Sequence, residues 1–274
     1  MQNNLKICFM GGGNMAQALI GGLAGKLTAA ANIHVVDVNP DTLASLSAQF
    51  GVQTSSMLGH EVSAADVLVL AVKPQQMYEV ASSLVPYLRG QLVLSIAAGI
   101  RAIDLSRWLN GHQAIVRTMP NTPALIGKGV TGMTASAGAT PEQRETANAI
   151  LQAVGQTVWL EDESQLDAVT AISGSGPAYV FYFLESMQQA AVDLGLTAEQ
   201  GYALALATFT GASALAAQST ESASVLRERV TSKGGTTHAA ITSMQAAGVG
   251  EAIAAALQAA VKRSQEMGEE FGKV

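Results

Sequence analysis

The sequence predicts an α/β protein: an N-terminal doubly wound parallel sheet followed by an all-helical C-terminal domain. Three observations carry this. Apolar runs of strand length alternate with helix-length segments over residues 1–162. The first run, Lys6-Ile7-Cys8-Phe9-Met10, stops at Gly11-Gly12-Gly13 and restarts as a helix at Asn14-Met15-Ala16. Beyond Glu161-Asp162-Glu163 no convincing strand remains, so the expected domains are residues 1–162, binding a dinucleotide, and residues 163–274, helical.

Read as strand, tight turn and helix, Gly11–Ala16 has the form G-x-G-x-x-A, the fingerprint of a Rossmann-type dinucleotide site. Gly11 permits the sharp turn, Gly13 lets the backbone approach a pyrophosphate, and Ala16 takes the close-packing position. The helix N-terminus then offers its N–H groups to the phosphates. A plain strand-to-helix turn has the same outline, but this one sits where the first strand of such a fold belongs.

The helix after the turn covers Met15–Lys26, with Met15, Leu19 and Leu23 at four-residue spacing. A second strand, Ile33–Asp37, ends on an acid 26 positions after Gly11, near the distance at which such folds hold the adenosine ribose. Asn39-Pro40-Asp41 opens a helix that runs to Phe50 and stops at Gly51. Val52–Thr54 is a short strand, Ala64-Ala65-Asp66 ends a helical turn, and Val67–Val72 is a wholly apolar strand of a sheet covered on both faces. Lys73-Pro74 closes it. A helix near Gln75–Tyr87, a strand at Leu92–Ile96, a helix near Ile103–Leu109 and a strand at Ala114–Met119 repeat the pattern. Gly129–Ala135, the helix Pro141–Val154 and Thr157–Leu160 extend the same sheet.

In the second half Gln165–Ile172 is helical, Ser173-Gly174-Ser175-Gly176-Pro177 interrupts, and Ala178–Leu194 is a long helix. Tyr179, Phe181, Tyr182 and Phe183 make that helix apolar nearly all round, so it is expected to be buried, most easily against a second subunit. Thr197 with Gln200 forms a capping box for a helix reaching about Ala217. A short helix ending at Arg227–Val230, the segment Ser232–Thr237 and two more helices complete the chain.

Composition narrows the function. A hydrophobic fraction of 49% with 13% charged residues leaves apolar surface for a subunit interface. A formal net charge of -6 without a Lys/Arg cluster argues against nucleic-acid binding. The single cysteine, Cys8, excludes an internal disulfide and reads as a buried, inert thiol. Polar Gln2, Asn3 and Asn4 before a short apolar run give no signal peptide, and the Ala252–Val261 stretch is broken by Gln258. The expectation is a soluble, cytoplasmic protein with no membrane contact.

In an open parallel sheet, ligands bind beyond the carboxyl ends of the strands. Four loops end strands there: Gly11–Met15, Ala71-Val72-Lys73-Pro74, Ala97-Ala98-Gly99, and Met119-Pro120-Asn121-Thr122-Pro123. Lys73-Pro74 suits a surface loop or packing against a cofactor ring. The last is a rigid loop offering amide and hydroxyl groups, or a structural turn. His34, His60, His112 and His238 are scattered without metal-ligand spacing, so no metal is expected. Ser173–Pro177 and Ser232–Thr237 each open a helix, as ordinary caps or as seats for a small anion.

Phe9–Ala16, Ala71-Val72-Lys73-Pro74-Gln75, Arg117–Pro123, Ser173–Tyr179 and Gly234-Gly235-Thr236-Thr237, in this order along the whole chain, resemble pyrroline-5-carboxylate reductase. The resemblance implies a Rossmann domain with a helical dimerisation domain, homodimers that assemble into decamers, and reduction of L-1-pyrroline-5-carboxylate to L-proline by NADPH or NADH, the last step of proline biosynthesis. It implies cofactor contacts from Gly11, Gly12, Gly13, Asn14, Met15, Ala16, Asp37, Asn39, Ala71, Val72, Lys73, Pro74, Ala97, Ala98, Gly99, Met119, Pro120, Asn121 and Thr122. Substrate contacts fall to Ser175, Ser232, Lys233, Gly234, Gly235 and Thr236, with the Thr237 hydroxyl facing the ring nitrogen. A cyclic imine is already electrophilic when protonated, so no His/Asp pair is required. Two residues depart from the family pattern. Lys233 replaces a proline, and Asp37-Val38 stands where many members carry Asn-Arg against the adenosine 2′-phosphate. An acid there favours NADH, although Asn39, Ser55 and Ser56 are available to a phosphate. A β-hydroxyacid dehydrogenase would share the sheet, but its Gly-x-x-x-Asn-x-x-Lys motif does not occur. A non-catalytic dinucleotide sensor would not need Gly234–Thr237.

Overall fold

In the computed structural model, which describes residues 4–273, the apolar runs become β1 (Ile7–Met10), β2 (Ile33–Val36), β3 (Gln53–Ser55), β4 (Val67–Leu70), β5 (Leu92–Ser95), β6 (Ile115–Met119), β7 (Gly129–Ala135) and β8 (Gly155–Trp159). Gln2 and Asn3, cited above for the lack of a leader, lie outside the described residues. The strands form one sheet in the order β3-β2-β1-β4-β5-β6-β7-β8. β1 to β6 are mutually parallel, in register Cys8 with His34 and with Leu68 around the central strand.

The expected parallel sheet is present in β1 to β6; of the two strands expected to extend it, β7 pairs antiparallel to β6, and β8 is parallel to β7. The chain from β6 to β7 is residues 120–128, largely a 3₁₀ turn over Thr122–Ile126. That is too short for the crossover of a dozen or more residues that a parallel return requires.

Seven helices accompany this sheet: α1 (Asn14–Leu23), α2 (Pro40–Phe50), α3 (His60–Ala64), α4 (Met77–Leu84), α5 (Ala102–Trp108), α6 (Pro141–Gln152) and α7 (Gln165–Val169). Alternate strand residues feed two cores. Ile7, Phe9, Val67, Val69, Leu92 and Leu94 pack with Leu19 and Leu23 of α1, Leu46 of α2 and Ile150 of α6. Cys8, Met10, Leu68, Leu70 and Val93 pack on the other face with Val62 of α3, Met77 and Leu84 of α4, and Leu105 of α5. A sheet covered on both faces explains the unbroken apolar strands, each buried Leu or Ile contributing about 1.5–3 kcal/mol. The helix expected over Gln75–Tyr87 has 3₁₀ turns at Pro74–Gln76 and Val85–Tyr87 on either side of α4, the second where Pro86 has no N–H to continue the ladder.

The chain separates into two compact units, the sheet unit ending at Ser175 and resuming at Ala259, and a helical unit spanning Gly176–Gln258. The helical unit contains α8 (Gly176–Asp193), α9 (Ala198–Gln218), α10 (Ala223–Arg229), α11 (Thr236–Ala246) and the first part of α12 (Val249–Phe271). Thr197 and Gln200 form the capping box expected for α9. Gly201 lets α9 approach α8 closely, since a Cβ there would stand 2.7 Å from that of Ala191. Within one chain α8 is not buried as expected: Phe181 is 65% and Tyr182 68% exposed, and Leu184 is its one buried residue. No single helix among the described residues is long and apolar enough to cross a membrane.

Candidate active site

The carboxyl ends of β1, β2, β4, β5 and β6 share one edge of the sheet, so the four loops singled out above are brought together there. Gly11 has φ +98°, its N–H donates to the Val36 carbonyl at 2.8 Å, and a Cβ would stand 2.7 Å from the Ala71 carbonyl oxygen. No other residue fits there. Gly13 caps α1 without any side-chain hydrogen bond and has nothing within 4 Å of its would-be Cβ, which leaves the helix N-terminus open to a phosphate. Ala16 is buried against the sheet, as the fingerprint requires. The middle glycine, assigned no role of its own by the motif, is also constrained: a Cβ on Gly12 would meet Leu46 at 2.7 Å and Thr42 at 2.8 Å.

The Gly12 N–H is not free for a phosphate, because it donates to Asp37 Oδ2 at 2.7 Å. Asp37 Oδ1 accepts from the Asn39 N–H at 2.8 Å. The carboxylate just beyond β2 is therefore held by one backbone donor on each oxygen, with lone pairs left for ribose hydroxyls. Asn39 is itself the cap of α2, its side-chain oxygen accepting from the N–H of Asp41 at 2.9 Å and of Thr42 at 3.3 Å. Beside Asp37 lies a mainly apolar cavity of about 420 Å³ lined by Val38, Ser56, Met57, Val72 and Gln76 among others. Asp37 is the single charged group among its lining residues, and Val38 and Met57 are strongly exposed at its mouth, 85% and 77%. An adenosine moiety fits this chemistry, with flat apolar contact for the base and a carboxylate for the sugar.

Further along the edge, Ala71 donates to the Met10 carbonyl at 2.8 Å, Val72 lines the cavity, and exposed Lys73 precedes the 3₁₀ turn begun by Pro74. Ala97 is buried and Ala98 half-buried at the end of β5, where Gly99 adopts φ +78°. Past β6, Pro120 and Asn121 are buried, while Met119 is half-buried and Thr122 exposed. The Asn121 carboxamide is engaged at both ends: its oxygen accepts from the Val130 N–H at 2.9 Å and its NH₂ donates to the Ser173 carbonyl at 3.2 Å. It builds the loop rather than standing free beside it.

The interruption expected at Ser173–Pro177 is a π-helical turn over Thr170–Gly174 joining α7 towards α8, with the Ser175 N–H donating to the Thr170 carbonyl at 2.8 Å. Its Gly174 packs on Met119. Periodicity does not reveal such turns, which recur at functional sites. Sequence reasoning also missed the buried charges behind this edge, where Arg117 pairs with Glu163 and Arg101 with Asp167.

In the helical unit, Ser232-Lys233-Gly234-Gly235 turns through a left-handed Gly234, φ +74°, with the Gly235 N–H donating to the Ser232 carbonyl at 3.0 Å. Gly235 then caps α11 with no side-chain bond, leaving the N-terminus at Thr236 and Thr237 uncapped. Ser232, Lys233 and Thr236 are exposed and Thr237 is half-buried. An uncapped helix start next to two hydroxyls suits a small carboxylate.

The histidines supply no acid–base team. His34 bonds Ser55 at 2.8 Å, His112 the Gln91 carbonyl at 2.8 Å, and His60 and His238 are exposed. No group of metal-ligating residues occurs among the described residues. Burial, with the Glu61 carboxylate adding to it, pushes the Cys8 thiol up to about 12, so it does not act as a nucleophile.

Comparison with known proteins assigns both halves. Residues 163–267 match the family model for pyrroline-5-carboxylate reductase dimerisation, and residues 6–99 match that for NADP oxidoreductase, coenzyme F420-dependent. The pyrroline-5-carboxylate reductase of Pseudomonas aeruginosa is 45% identical, over 98% of this chain and 98% of that protein. Among solved structures, a pyrroline-5-carboxylate reductase from Coxiella burnetii superposes with a TM-score of 0.91 at 38% identity, over 97% of this chain and 99% of that one. The Plasmodium falciparum pyrroline carboxylate reductase with NADP bound gives 0.87 at 29% identity, over 97% and 99%.

Proposed function

Because the chain belongs to the pyrroline-5-carboxylate reductase family, we infer that it reduces L-1-pyrroline-5-carboxylate to L-proline with NAD(P)H, closing proline biosynthesis. The observation that carries this is likeness over nearly the whole length, through both the dinucleotide half and the region that holds Gly234–Thr237.

When bound, NAD(P)H supplies the hydride, and the chain supplies placement. The open N-terminus of α1 at Gly13–Met15 takes the pyrophosphate, and Asp37 takes the adenosine ribose. Because β1 and β4 flank the point where strand order reverses, the loops after β1 and β2 would hold the adenosine half and those after β4 to β6 the nicotinamide half. That gives Ala71–Pro74, Ala97–Gly99 and Met119–Thr122 to the nicotinamide side. The N–H groups of Gly235 and Thr236 hold the substrate carboxylate, with Lys233 adding a cation beside it and Ser232 and Ser175 as further substrate contacts. The Thr237 hydroxyl hydrogen-bonds the ring nitrogen. A C–H bond forms at the imine carbon, the C=N π pair moves to nitrogen, and nitrogen keeps its proton as the proline amine. No side chain has to take up or release a proton at the reacting carbon.

The active form is a homodimer in the cytoplasm, able to assemble further to a decamer. Support comes from the exposed apolar face of α8, with Phe181 and Tyr182 uncovered in one chain, and from the dimerisation match. In it, the Ser232–Thr237 loop of one subunit serves the dinucleotide of its partner. Residues 1–162 carry the dinucleotide and residues 163–274 the substrate and the subunit contact. Purified protein mixed with pyrroline-5-carboxylate and NADPH or NADH will consume reduced nicotinamide and yield proline. No turnover with either dinucleotide refutes the assignment.

A further inference from the structure

Behind the two loops assigned to the nicotinamide side lies one buried polar network. Arg101, two residues past Gly99, donates from Nη2 to Asp167 Oδ2 at 2.8 Å, and the Ser264 hydroxyl of α12 donates to Asp167 Oδ1 at 2.6 Å. Glu163 Oε1 accepts from the Ala102 N–H at 2.6 Å and from the Arg117 guanidinium. Arg117, Asp167 and Ser264 are each under 5% exposed. None of these side chains carries an unpartnered buried atom. Burial pulls the Arg117 guanidinium down from its ordinary value, and the Glu163 carboxylate opposes that shift.

The network reaches both loops by short rigid paths. On one side, Gly99 is clamped: a Cβ there would stand 3.0 Å from the Met267 Cβ, and one on Gly268 would stand 2.9 Å from the Gly99 carbonyl oxygen. Arg101 holds the chain immediately after it. On the other side, Arg117 lies on β6 two residues before Met119. From Asp167, α7 continues into the π turn whose Ser173 carbonyl accepts from Asn121 and whose Gly174 meets Met119. The same carboxylate that grips Arg101 and α12 therefore sits on the element that braces Met119–Thr122. Buried ionic groups of this kind seldom add stability over apolar packing of the same shape. They do define one arrangement, because any slip leaves a buried charge unpaired.

We propose that Arg101, Asp167 and Ser264 are positioning residues for hydride transfer, locking the loop at Ala97–Gly99 to the loop at Met119–Thr122 and thereby setting the nicotinamide ring at reacting distance from the imine carbon. This rests on the assignment of those loops to the nicotinamide side. Displacement of a reacting group by about 1 Å costs on the order of 10²-fold in rate, so loosening the brace shows in the chemical step. The adenosine half of the site, built from Gly12, Asp37 and the Met57 cavity, shares no residue with the network.

The test uses the full-length protein with Ser264→Ala, Arg101→Met and Arg101→Lys. In the first two, kcat falls about tenfold or more. The primary isotope effect on kcat with C4-deuterated dinucleotide rises as hydride transfer becomes rate-limiting, and ADP-ribose binds as in the wild type. Arg101→Lys restores most of kcat. Unchanged kcat in both variants overturns the proposal. So does a loss of kcat that runs parallel to weakened ADP-ribose binding with no rise in the isotope effect, which marks a general structural weakening. If Arg101→Met does not fold, Ser264→Ala decides alone, since it removes one hydroxyl and leaves the ion pair. Wild-type turnover of pyrroline-5-carboxylate is the control: its absence defeats the proposed activity, whereas normal wild-type turnover with unaffected variants defeats this proposal only.

Discussion

The wild type is expected to prefer NADH over NADPH, and replacing Asp37 by serine to reverse that preference. The carboxylate does not swing away from an incoming phosphate, since the N–H groups of Gly12 and Asn39 hold it at 2.7 and 2.8 Å. No Lys or Arg lines the adjoining cavity to offset it. A 2′-phosphate carries about −1.5 to −2 charges. At about 6 Å and an effective permittivity of about 40, suited to a half-exposed mouth, repulsion is roughly 2–3 kcal/mol. Screening at physiological salt leaves roughly 1–2 kcal/mol, a factor of about 5 to 30 against NADPH. In Asp37→Ser this penalty disappears, while NADH loses charge-assisted hydrogen bonds to its ribose worth about 1.5 kcal/mol or more. The ratio of kcat/KM values, NADH over NADPH, should therefore fall by roughly 60- to 350-fold. Steady-state oxidation of each dinucleotide at fixed pyrroline-5-carboxylate reads it directly. Raising the ionic strength should narrow the wild-type preference but not that of the variant. An unchanged ratio in Asp37→Ser would show that the carboxylate does not face the 2′ position and would sink the reasoning.

Thr237→Ala should lower kcat/KM by on the order of 10²-fold with little change in dinucleotide binding, if the hydroxyl meets the reacting nitrogen in the transition state; an unaltered rate removes that role. Gly11→Ala and Gly13→Ala should differ in kind. The first forces a side chain into φ +98° and to 2.7 Å of the Ala71 carbonyl, so thermal melting without ligand should drop. The second has open space, so melting should hold while NAD(P)H affinity falls about tenfold or more, as measured by titration; equal effects on melting would contradict the distinction. Cys8, with its thiol pushed up to about 12, should resist iodoacetamide at pH 8 in the native state and react only after unfolding, as followed by mass spectrometry.

The sheet was readable from residue pattern because its strands are buried on both faces, which leaves runs such as Val67–Leu70 and Leu92–Ser95 with no polar residue before the last position. The turn was readable because Gly11 has no substitute. The reversal at β7 was not, since strand direction depends on how far nine residues reach and the apolar pattern of Gly129–Ala135 reads alike in either direction. Gly12 illustrates a similar gap. Its need to be glycine comes from Thr42 and Leu46, some thirty residues on, and from the use of its N–H by Asp37. Asn39 opens its helix as the pattern indicated, its oxygen capping α2, whereas the pattern around Asn121 offered a free amide and the structure engages both ends of that side chain in holding its loop.

The least legible part was the charge network, and the reason is physical. Arg117 sits inside an apolar strand, Asp167 on a short helix and Ser264 near the end of α12, with up to 97 positions between hydrogen-bonded partners. Local pattern treats each as an isolated exception, because a buried charge is tolerated only by a partner that sequence proximity does not reveal. The helical half shows the complementary limit. Its α8 has the all-round apolar character of a core helix, and within one chain most of that surface stays exposed. The composition calls for burial that one chain does not supply, and the match to the dimerisation family points to self-association, a contact of which a single sequence records only one side. What the two cases share is that the decisive partners, Asp167 for Arg101 and Ser264, and whatever covers Phe181 and Tyr182, lie far away along the chain or outside it.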